Sequence, residues 1–140
     1  MPNYQQTIST TQSISGYGLH TGTKSTITFK PAPINTGIKF IRTDLKNKPI
    51  VDASLANLDK TNRRTQLKKN NVIVQTTEHL LAAIKGLEID NLFIEIDSDE
   101  VPILDGSSKL FCEVLLKAGI KQQNSTRKIL KVTRNYYYKD

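Results

Sequence analysis

The sequence predicts an α+β fold, a two-layer sandwich in which a mostly antiparallel sheet carries two helices on one face. Two observations predict it. Segments with the period-two alternation of strands mostly precede the helical segments, and only one strand separates the two helices. A doubly wound parallel sheet would instead alternate strands and helices along the whole chain. With 140 residues, the chain is long enough to form one domain with its own core.

The N-terminal part of the chain is predicted to be extended. Residues 5–14 and 23–30 are expected strands, and in the second strand Ile27 and Phe29 alternate with threonines. The glycine-rich segment between them, residues 16–22, is expected to be a turn. Its glycine spacing, and the strand that follows it, do not match a dinucleotide-binding loop. We therefore expect these glycines to provide positive φ angles.

Further strands are predicted in the middle of the chain. Residues 37–43 show period-two alternation, whereas residues 46–59 show no clear pattern and are expected to be irregular. Residues 63–67 and 72–75 are expected to form a hairpin that turns at residues 69–71, although the turn chemistry is not diagnostic.

The first helix is predicted to begin after an N-cap at Thr76 or Thr77 and to stop at Gly86. A strand over residues 89–97 follows it. The apolar residues of the helix recur at helical spacing, and they are Leu80, Ile84 and Leu87.

The second helix is predicted to be capped near Asp105 or Ser107 and to end at Gly119. Its apolar stripe consists of Leu110, Phe111, Val114, Leu115 and Ala118. Residues 1–126 are thus expected to form one α+β domain. Residues 127–140, in which Ile129–Thr133 has the pattern of a strand, are expected to open a second domain that is otherwise absent.

Composition limits the class of protein. No apolar run approaches the ~20 residues that a membrane helix needs, so no integral membrane segment is expected. The polar N-terminus lacks the apolar core of a signal peptide, which favours a cytoplasmic location. A single cysteine, Cys112, excludes an internal disulfide and a zinc site built from several cysteines.

The net charge is +7, and the basic residues cluster in residues 60–69 and 127–139. A solvated basic surface explains such clusters, but so does binding to a phosphorylated substrate or to nucleic acid. A non-catalytic, basic nucleic-acid-binding module is therefore the alternative function, although it leaves the motifs described below unexplained.

Glu78 and His79 are the residues most suited to chemistry. In the first turn of a helix, an acidic residue simply favours the helix dipole, and a histidine there can be an ordinary surface residue. The functional alternative is that His79 donates a lone pair to a metal while Glu78 accepts a proton from water. The pair is not part of a His-Glu-x-x-His helix, because position 83 is Ala83.

A catalytic zinc normally has three protein ligands. His20 is the second of only two histidines in the chain, so histidines and the one thiol cannot complete such a site. His20 lies in the glycine-flanked turn, where contact with a ligand and a hydrogen bond to the backbone are both open.

Four stretches in order resemble one family, the UDP-3-O-acyl-N-acetylglucosamine deacetylases of lipid A synthesis. One alone would be weak evidence, but four in register are specific. They are Ser15–Gly22, Pro31–Gly37 with Arg42–Leu45, Thr76–Ala83 continuing through Gly86–Asn91, and Glu100–Ser107.

The resemblance implies a zinc-dependent hydrolase built from two similar α+β domains, with the active site between them and this chain as the first. It implies that His79 is a zinc ligand and Glu78 the general base. The other ligands, in a His-x-x-x-Asp motif, and a further histidine would belong to the missing C-terminal domain, so the isolated chain is expected to be inactive.

The implied substrate is an acyl-sugar nucleotide, from which the enzyme removes an N-acetyl group on the route to lipopolysaccharide; no nucleic-acid partner is expected. The predicted substrate-binding residues are Leu19, His20, Asn62, Arg63, Arg64 and Thr65.

Overall fold

The computed structural model describes residues 3–139. Positions 1 and 2 of the first predicted domain and position 140 of the second therefore lie outside the described residues. The strands, in chain order, are β1 (Tyr4–Ile8), β2 (Gln12–Tyr17), β3 (Lys24–Pro31), β4 (Ile38–Arg42), β5 (Ile50–Asp52), β6 (Leu58–Asp59), β7 (Gln66–Lys69), β8 (Val72–Val74), β9 (Leu92–Ile96) and β10 (Ile120–Thr126). The helices are α1 (Glu78–Gly86) and α2 (Lys109–Ala118), and a short 3-10 helix spans Leu55–Asn57.

Five strands form the main sheet, in the spatial order β2-β3-β9-β4-β5. Neighbouring strands are antiparallel except β4 and β9, which run parallel. Phe40 of β4 pairs with Ile94 of β9, and Ile27 of β3 pairs with Ile96. The sheet is therefore mostly antiparallel, and the predicted α+β class is confirmed.

One face of this sheet and both helices enclose the hydrophobic core. The helices contact each other, and α2 also contacts β2. Alternate strand residues are buried, as the period-two pattern predicted; they include Ile27, Phe29, Phe40, Leu92, Ile94 and Ile96. The helices bury one stripe each, consisting of Leu80, Ala83, Ile84, Phe111, Leu115 and Ala118. Burial of this apolar surface is the main favourable term in folding.

Both ends of α1 differ from the prediction in their chemistry. Thr77 is the N-cap residue, but its hydroxyl donates to the carbonyl of Thr65 and makes no capping hydrogen bond. Gly86 is the last residue of the helix, and its φ is not positive. The left-handed residue is Glu88, with φ 56°. The positions of the N-cap at Thr77 and of the end at Gly86 are thus confirmed, whereas the capping hydrogen bond and the left-handed glycine expected there are not found.

The end of α2 matches the prediction, and its start differs by one residue. Gly119 follows the helix with φ 76°, and the N-cap is Ser108. The Asp105 carboxylate accepts hydrogen bonds from the amide and hydroxyl of Ser107, and the Ser107 hydroxyl accepts one from the Lys109 amide. Within residues 3–139, neither helix has the length and apolarity needed to cross a bilayer.

The predicted strand over residues 5–14 was wrong, because two strands of different sheets occupy it. The chain turns between β1 and β2, where the amides of Ser9 and Thr10 donate to the carbonyls of Gly119 and Ala118. β2 joins the main sheet, whereas β1 pairs antiparallel with β10, a strand that the sequence did not predict.

The segment 46–59 was also predicted wrongly. It contains β5, the 3-10 helix and β6, and β6 pairs with β7 in a small sheet of order β6-β7-β8. The hairpin of β7 and β8 is confirmed, with Asn70 at its turn and a φ of 55°, but its first strand begins at Gln66 rather than at residue 63.

Residues 127–139 have no helix or strand, so the strand expected at 129–133 was wrong. Arg127 is nevertheless tied to the domain. Its guanidinium donates to both carboxylate oxygens of Asp90 and to the carbonyl of Glu88, and its amide donates to Asn3. These contacts therefore fix the position of the first residue after β10. The domain boundary at 126/127 stays a prediction.

A buried amide joins the two-stranded sheet to the main sheet. Asn91 is 1% exposed. Its amide nitrogen donates to the side-chain oxygens of Gln5 and Gln123, both at 2.8 Å, and its side-chain oxygen accepts from the Gly37 amide at 2.9 Å. The Gln5 oxygen also accepts from the Asn35 amide, whereas Asn91 is the one partner found among the described residues for the side-chain oxygen of Gln123 and for the Gly37 amide. Without Asn91, these two partly buried groups would lack a hydrogen bond.

We predict that Asn91→Ala lowers the free energy of unfolding by more than about 2 kcal/mol, because each buried group left without a partner costs about 1–3 kcal/mol. The exposed Asn124 of β10 is the matched control, and Asn124→Ala should stay within about 0.5 kcal/mol of the parent. Urea unfolding measures both, and equal effects of the two changes would contradict the role of Asn91.

Candidate active site

Glu78 and His79 are the first two residues of α1, and both are half-buried. Thr76, two residues before Glu78, has φ 55° in the left-handed region. A β-branched residue is strained in this region, so surrounding contacts must hold it there. The position of the first turn of α1 therefore depends on the tertiary contacts that Thr76 makes.

The loop over residues 61–65 is bound to the start of α1. The Thr65 amide donates to Oε2 of Glu78 at 2.9 Å, and the Thr65 carbonyl accepts from the amide and hydroxyl of Thr77 at 3.1 and 3.2 Å. Within the loop, the Thr61 hydroxyl donates to the carbonyl of Arg64 at 2.9 Å. These bonds hold one carboxylate oxygen of Glu78 in a defined position.

A cleft of about 540 Å³ lies beside this loop. Its lining includes the exposed apolar side chains of Leu55 and Leu58, together with Asn62, Arg64 and Thr65. Nε of Arg64 is buried and has no hydrogen-bond partner among the described residues. Apolar and cationic groups thus line a cleft that includes Thr65, the residue bonded to Glu78, and this combination suits a ligand with an aliphatic part and an anionic part.

A fully buried carboxylate, Glu100, joins the glycine-rich loop to the residue before α1. It accepts hydrogen bonds from the amide of His20 at 3.0 and 3.2 Å, from the amide and hydroxyl of Thr21 at 2.8 and 2.7 Å, and from the hydroxyl of Thr76 at 2.8 Å. A buried charge is tolerated only when its hydrogen bonds are made. Glu100 meets this condition with donors from two separate segments.

The hydrogen bonds also set the protonation of Glu100. Burial alone would raise its pKa, but the amide of His20, the hydroxyl and amide of Thr21 and the hydroxyl of Thr76 outweigh that effect and lower the pKa below its usual value. The group is therefore an anion at neutral pH, although no basic side chain among residues 3–139 donates a hydrogen bond to it.

The glycines of the loop serve close packing more than turn geometry. Only Gly22 of the three has a positive φ, at 64°. A Cβ on Gly18 would overlap the carboxylate of Glu100 and the hydroxyl of Thr21, and one on Gly16 would lie 3.0 Å from Cβ of Pro102. The expectation of positive φ was therefore wrong for Gly16 and Gly18, where the absent side chain makes room for residues 100–104.

The two predicted substrate loops are each linked by hydrogen bonds to residues at the start of α1. Leu19 is 61% exposed, and the side chain of His20 is exposed while its amide binds Glu100. Asn62 and Arg63 are exposed on the second loop, where Arg63 has φ 61°, and Arg64 and Thr65 are half-buried. One loop reaches Thr76 through Glu100, and the other reaches Glu78 and Thr77 through Thr65.

The donor set of this chain fits zinc only in part. His79 offers an imidazole nitrogen, which is a typical zinc ligand, and Glu78 lies beside it in sequence. Among residues 3–139 there is no group of three or more His, Cys, Asp or Glu side chains that could hold a metal ion. The described residues therefore fit part of a zinc site and need ligands from elsewhere.

Sequence reasoning missed the role of Glu100. The available signal was its place directly before the apolar run Val101–Leu104, since a charged residue beside buried apolar positions needs hydrogen-bond donors. Which donors it has could not be predicted, because they lie 24 or more residues away in sequence.

The amino-acid sequence is similar to one family of known proteins. Residues 5–140 match the family model described as LpxC, UDP-3-O-acyl N-acetylglycosamine deacetylase. The chain is 41% identical over 136 residues to the UDP-3-O-acyl-N-acetylglucosamine deacetylase of Bdellovibrio bacteriovorus, covering 97% of this chain and 45% of that protein.

Two further relatives also match most of this chain with less than half of their own length. The bifunctional enzyme LpxC/FabZ of Chlorobaculum tepidum is 47% identical over 127 residues, which are 91% of this chain and 27% of that protein. The UDP-3-O-acyl-N-acetylglucosamine deacetylase of Shewanella halifaxensis is 42% identical over 132 residues, which are 94% and 43% of the two chains. The chain thus spans less than half the length of these curated relatives.

Two glycine variants test the packing around Glu100. We expect Gly18→Ala to lower the free energy of unfolding by about 1–3 kcal/mol, the usual cost of overpacking. Gly86→Ala is the control, because a Cβ there meets nothing within 4 Å, and it should be neutral or stabilise the protein by up to about 1 kcal/mol. Thermal unfolding of both variants measures the difference, and a neutral Gly18→Ala would contradict the close approach.

The lowered pKa of Glu100 predicts a specific dependence of stability on acid. Its contribution is complete above about pH 4.3, the usual pKa of a glutamate in an unfolded chain, and is lost as the pH falls through the lower pKa of the folded state. The free energy of unfolding should therefore fall less from pH 7 to pH 3 in Glu100→Gln than in the parent. Other carboxylates titrate in both proteins, so parallel curves from urea unfolding would contradict this assignment.

Proposed function

Because the chain belongs to the UDP-3-O-acyl N-acetylglycosamine deacetylase (LpxC) family, we propose that it supplies one half of a zinc-dependent deacetylase active site. The proposed substrate is a UDP-3-O-acyl-N-acetylglucosamine, which loses its acetyl group on the route to lipid A and lipopolysaccharide. The observation that carries the proposal is the Glu78–His79 pair at the start of α1, with Glu78 held by the Thr65 amide at 2.9 Å.

The reaction is hydrolysis of an amide. Water adds to the carbonyl carbon of the acetamide, the bond from carbon to nitrogen breaks, and acetate and a free amine are formed. Zinc, when bound, polarises the carbonyl and makes water a stronger nucleophile at neutral pH. His79 would be one of the residues that hold it.

Glu78 takes the role of general base in this proposal and accepts the proton that the attacking water loses. The hydrogen bond from Thr65 engages Oε2, and Glu78 is half-buried, so part of this residue is exposed at the surface of the domain. A base must be held within hydrogen-bond reach of the proton it removes, so a fixed carboxylate at the surface suits the task.

The remaining parts of the site would come from residues outside this chain. These are a His-x-x-x-Asp pair of zinc ligands and a further histidine acting on the transition state, in a second domain. The size of the relatives, of which this chain spans 45% or less in the three described above, supports this arrangement. The isolated chain would then be inactive, and the assembled enzyme would act in the cytoplasm.

The loops around α1 are the proposed substrate contacts. Leu19 and His20 lie on one loop and Asn62–Thr65 on the other, beside a cleft with apolar and cationic walls. A substrate with an acyl chain and a diphosphate has both kinds of group, and the exposed Arg63 and half-buried Arg64 are residues of a type suited to bind a diphosphate.

We predict that two variants of the full-length protein both lose activity but differ in their zinc content. Glu78→Gln keeps the shape of the side chain but removes the proton acceptor, so kcat should fall by about 10²–10⁴ while zinc stays bound. His79→Ala removes a ligand, so the zinc content should fall together with activity. Metal analysis beside steady-state kinetics distinguishes the two.

Lys85→Ala, at the other end of α1 and exposed, is the matched control and should leave kcat and zinc content unchanged. If Glu78→Gln retains zinc and a nearly normal kcat, Glu78 only stabilises the start of the helix and the proposed mechanism is wrong.

A further inference from the structure

We propose that Glu100 is a positioning residue of the active site: its buried carboxylate holds the loop of Leu19 and His20 at a set place relative to the first turn of α1. The consequence for catalysis rests on the proposed function, in which Glu78 and His79 carry the chemistry. Glu100 itself is fully buried and does not reach the surface where substrate would bind.

The first step of the argument is the number and origin of the donors. A carboxylate has about four lone-pair positions, and Glu100 uses them for two amides and two hydroxyls. Three of these groups belong to the loop, on His20 and Thr21, and the fourth is the hydroxyl of Thr76. Because the donors surround one small anion, the loop cannot move away from Thr76 without leaving a buried charge unpaired.

The second step is that the segment carrying Glu100 is itself fixed. The Gln75 amide donates to the carbonyl of Asp99 at 2.8 Å, and the Val101 amide donates to the carbonyl of Gln75 at 3.1 Å. On the far side, the Ile103 amide donates to the carbonyl of Tyr17 at 2.9 Å. Glu100 therefore lies in a strip of backbone that is paired with both segments it connects.

The third step connects Thr76 to the catalytic pair. Its φ of 55° is unfavourable for a β-branched residue, and the hydrogen bond to Glu100 at 2.8 Å opposes relaxation of that strain. Glu78 follows two residues later. Loss of the bond should let the first turn of α1 shift, and a shift of about 1 Å in a catalytic group costs up to about 100-fold in rate.

These contacts predict a division of effects between two hydroxyls on the same carboxylate. Thr76 is on the side of the catalytic pair, so Thr76→Val should lower kcat by about 10- to 100-fold and change KM little. Thr21 is on the side of the loop that would contact substrate, so Thr21→Val should raise KM several-fold and change kcat little. A residue that only stabilises the fold gives no such division.

The experiment is steady-state kinetics of the full-length protein on the acyl-sugar nucleotide, with zinc content measured for each variant. Thr76→Ser and Thr21→Ser keep the hydroxyl and should restore each parameter to within about twofold, as expected when the hydrogen bond is what matters. Thr28→Val is the matched control, since it removes a hydroxyl pair with Ser13 on the outer face of the sheet, and it should leave kcat and KM unchanged.

A second measurement does not depend on activity. Amide hydrogen exchange at His20 and Thr21 in the full-length protein should become at least about tenfold faster in Glu100→Gln, because the amide of glutamine presents N–H groups to donors. Exchange at Ile27, in the middle of β3, should not change. If the parent protein has no deacetylase activity, the proposed function is wrong, while this measurement still decides whether Glu100 holds the loop.

Two results would overturn the inference. One is unchanged exchange at His20 and Thr21 in Glu100→Gln. The other is an equal loss of activity in Thr76→Val and Thr21→Val that follows a common loss of stability, which would make Glu100 a structural residue only.

Discussion

The arrangement of the candidate site depends on one buried anion. Glu100 is fully buried, and in the described part of the chain its hydrogen-bond donors are backbone amides and hydroxyls, with no basic side chain among them. Because removing a charge from water is costly, these donors must stay in place while the protein is folded. The hydrogen bonds of this one carboxylate thus bring together the loop before β3, Thr76 just before α1, and the segment after β9.

The start of α1 is held by these tertiary contacts and not by a local cap. A threonine at the N-cap would ordinarily accept a hydrogen bond from the first turn, but the hydroxyl of Thr77 donates to Thr65 instead. Thr65 in turn donates to Glu78. The first helical turn therefore keeps its amides free of a side-chain cap, and Glu78 and His79 remain at the surface. Strain at Thr76 is the cost of this arrangement.

The rest of the domain provides a rigid support for these contacts. β9 lies at the centre of the main sheet, parallel to β4 and antiparallel to β3, and leads directly into the segment of Glu100. At the opposite end of β9, Asn91 and Arg127 tie the two-stranded sheet to the domain. Both ends of this central strand are thus fixed by buried or half-buried polar contacts.

The sequence by itself determined the elements with strong periodicity, the α+β class and the place of Glu78 and His79 in the first turn of a helix, because these depend on local pattern and on the order of elements. The tertiary structure decided what local pattern does not contain. Residues 5–14 divide between two sheets because β1 pairs with β10, more than a hundred residues away. Gly18 and Glu100 have their roles because they approach each other in space, and a single sequence records the residues but not which of them meet.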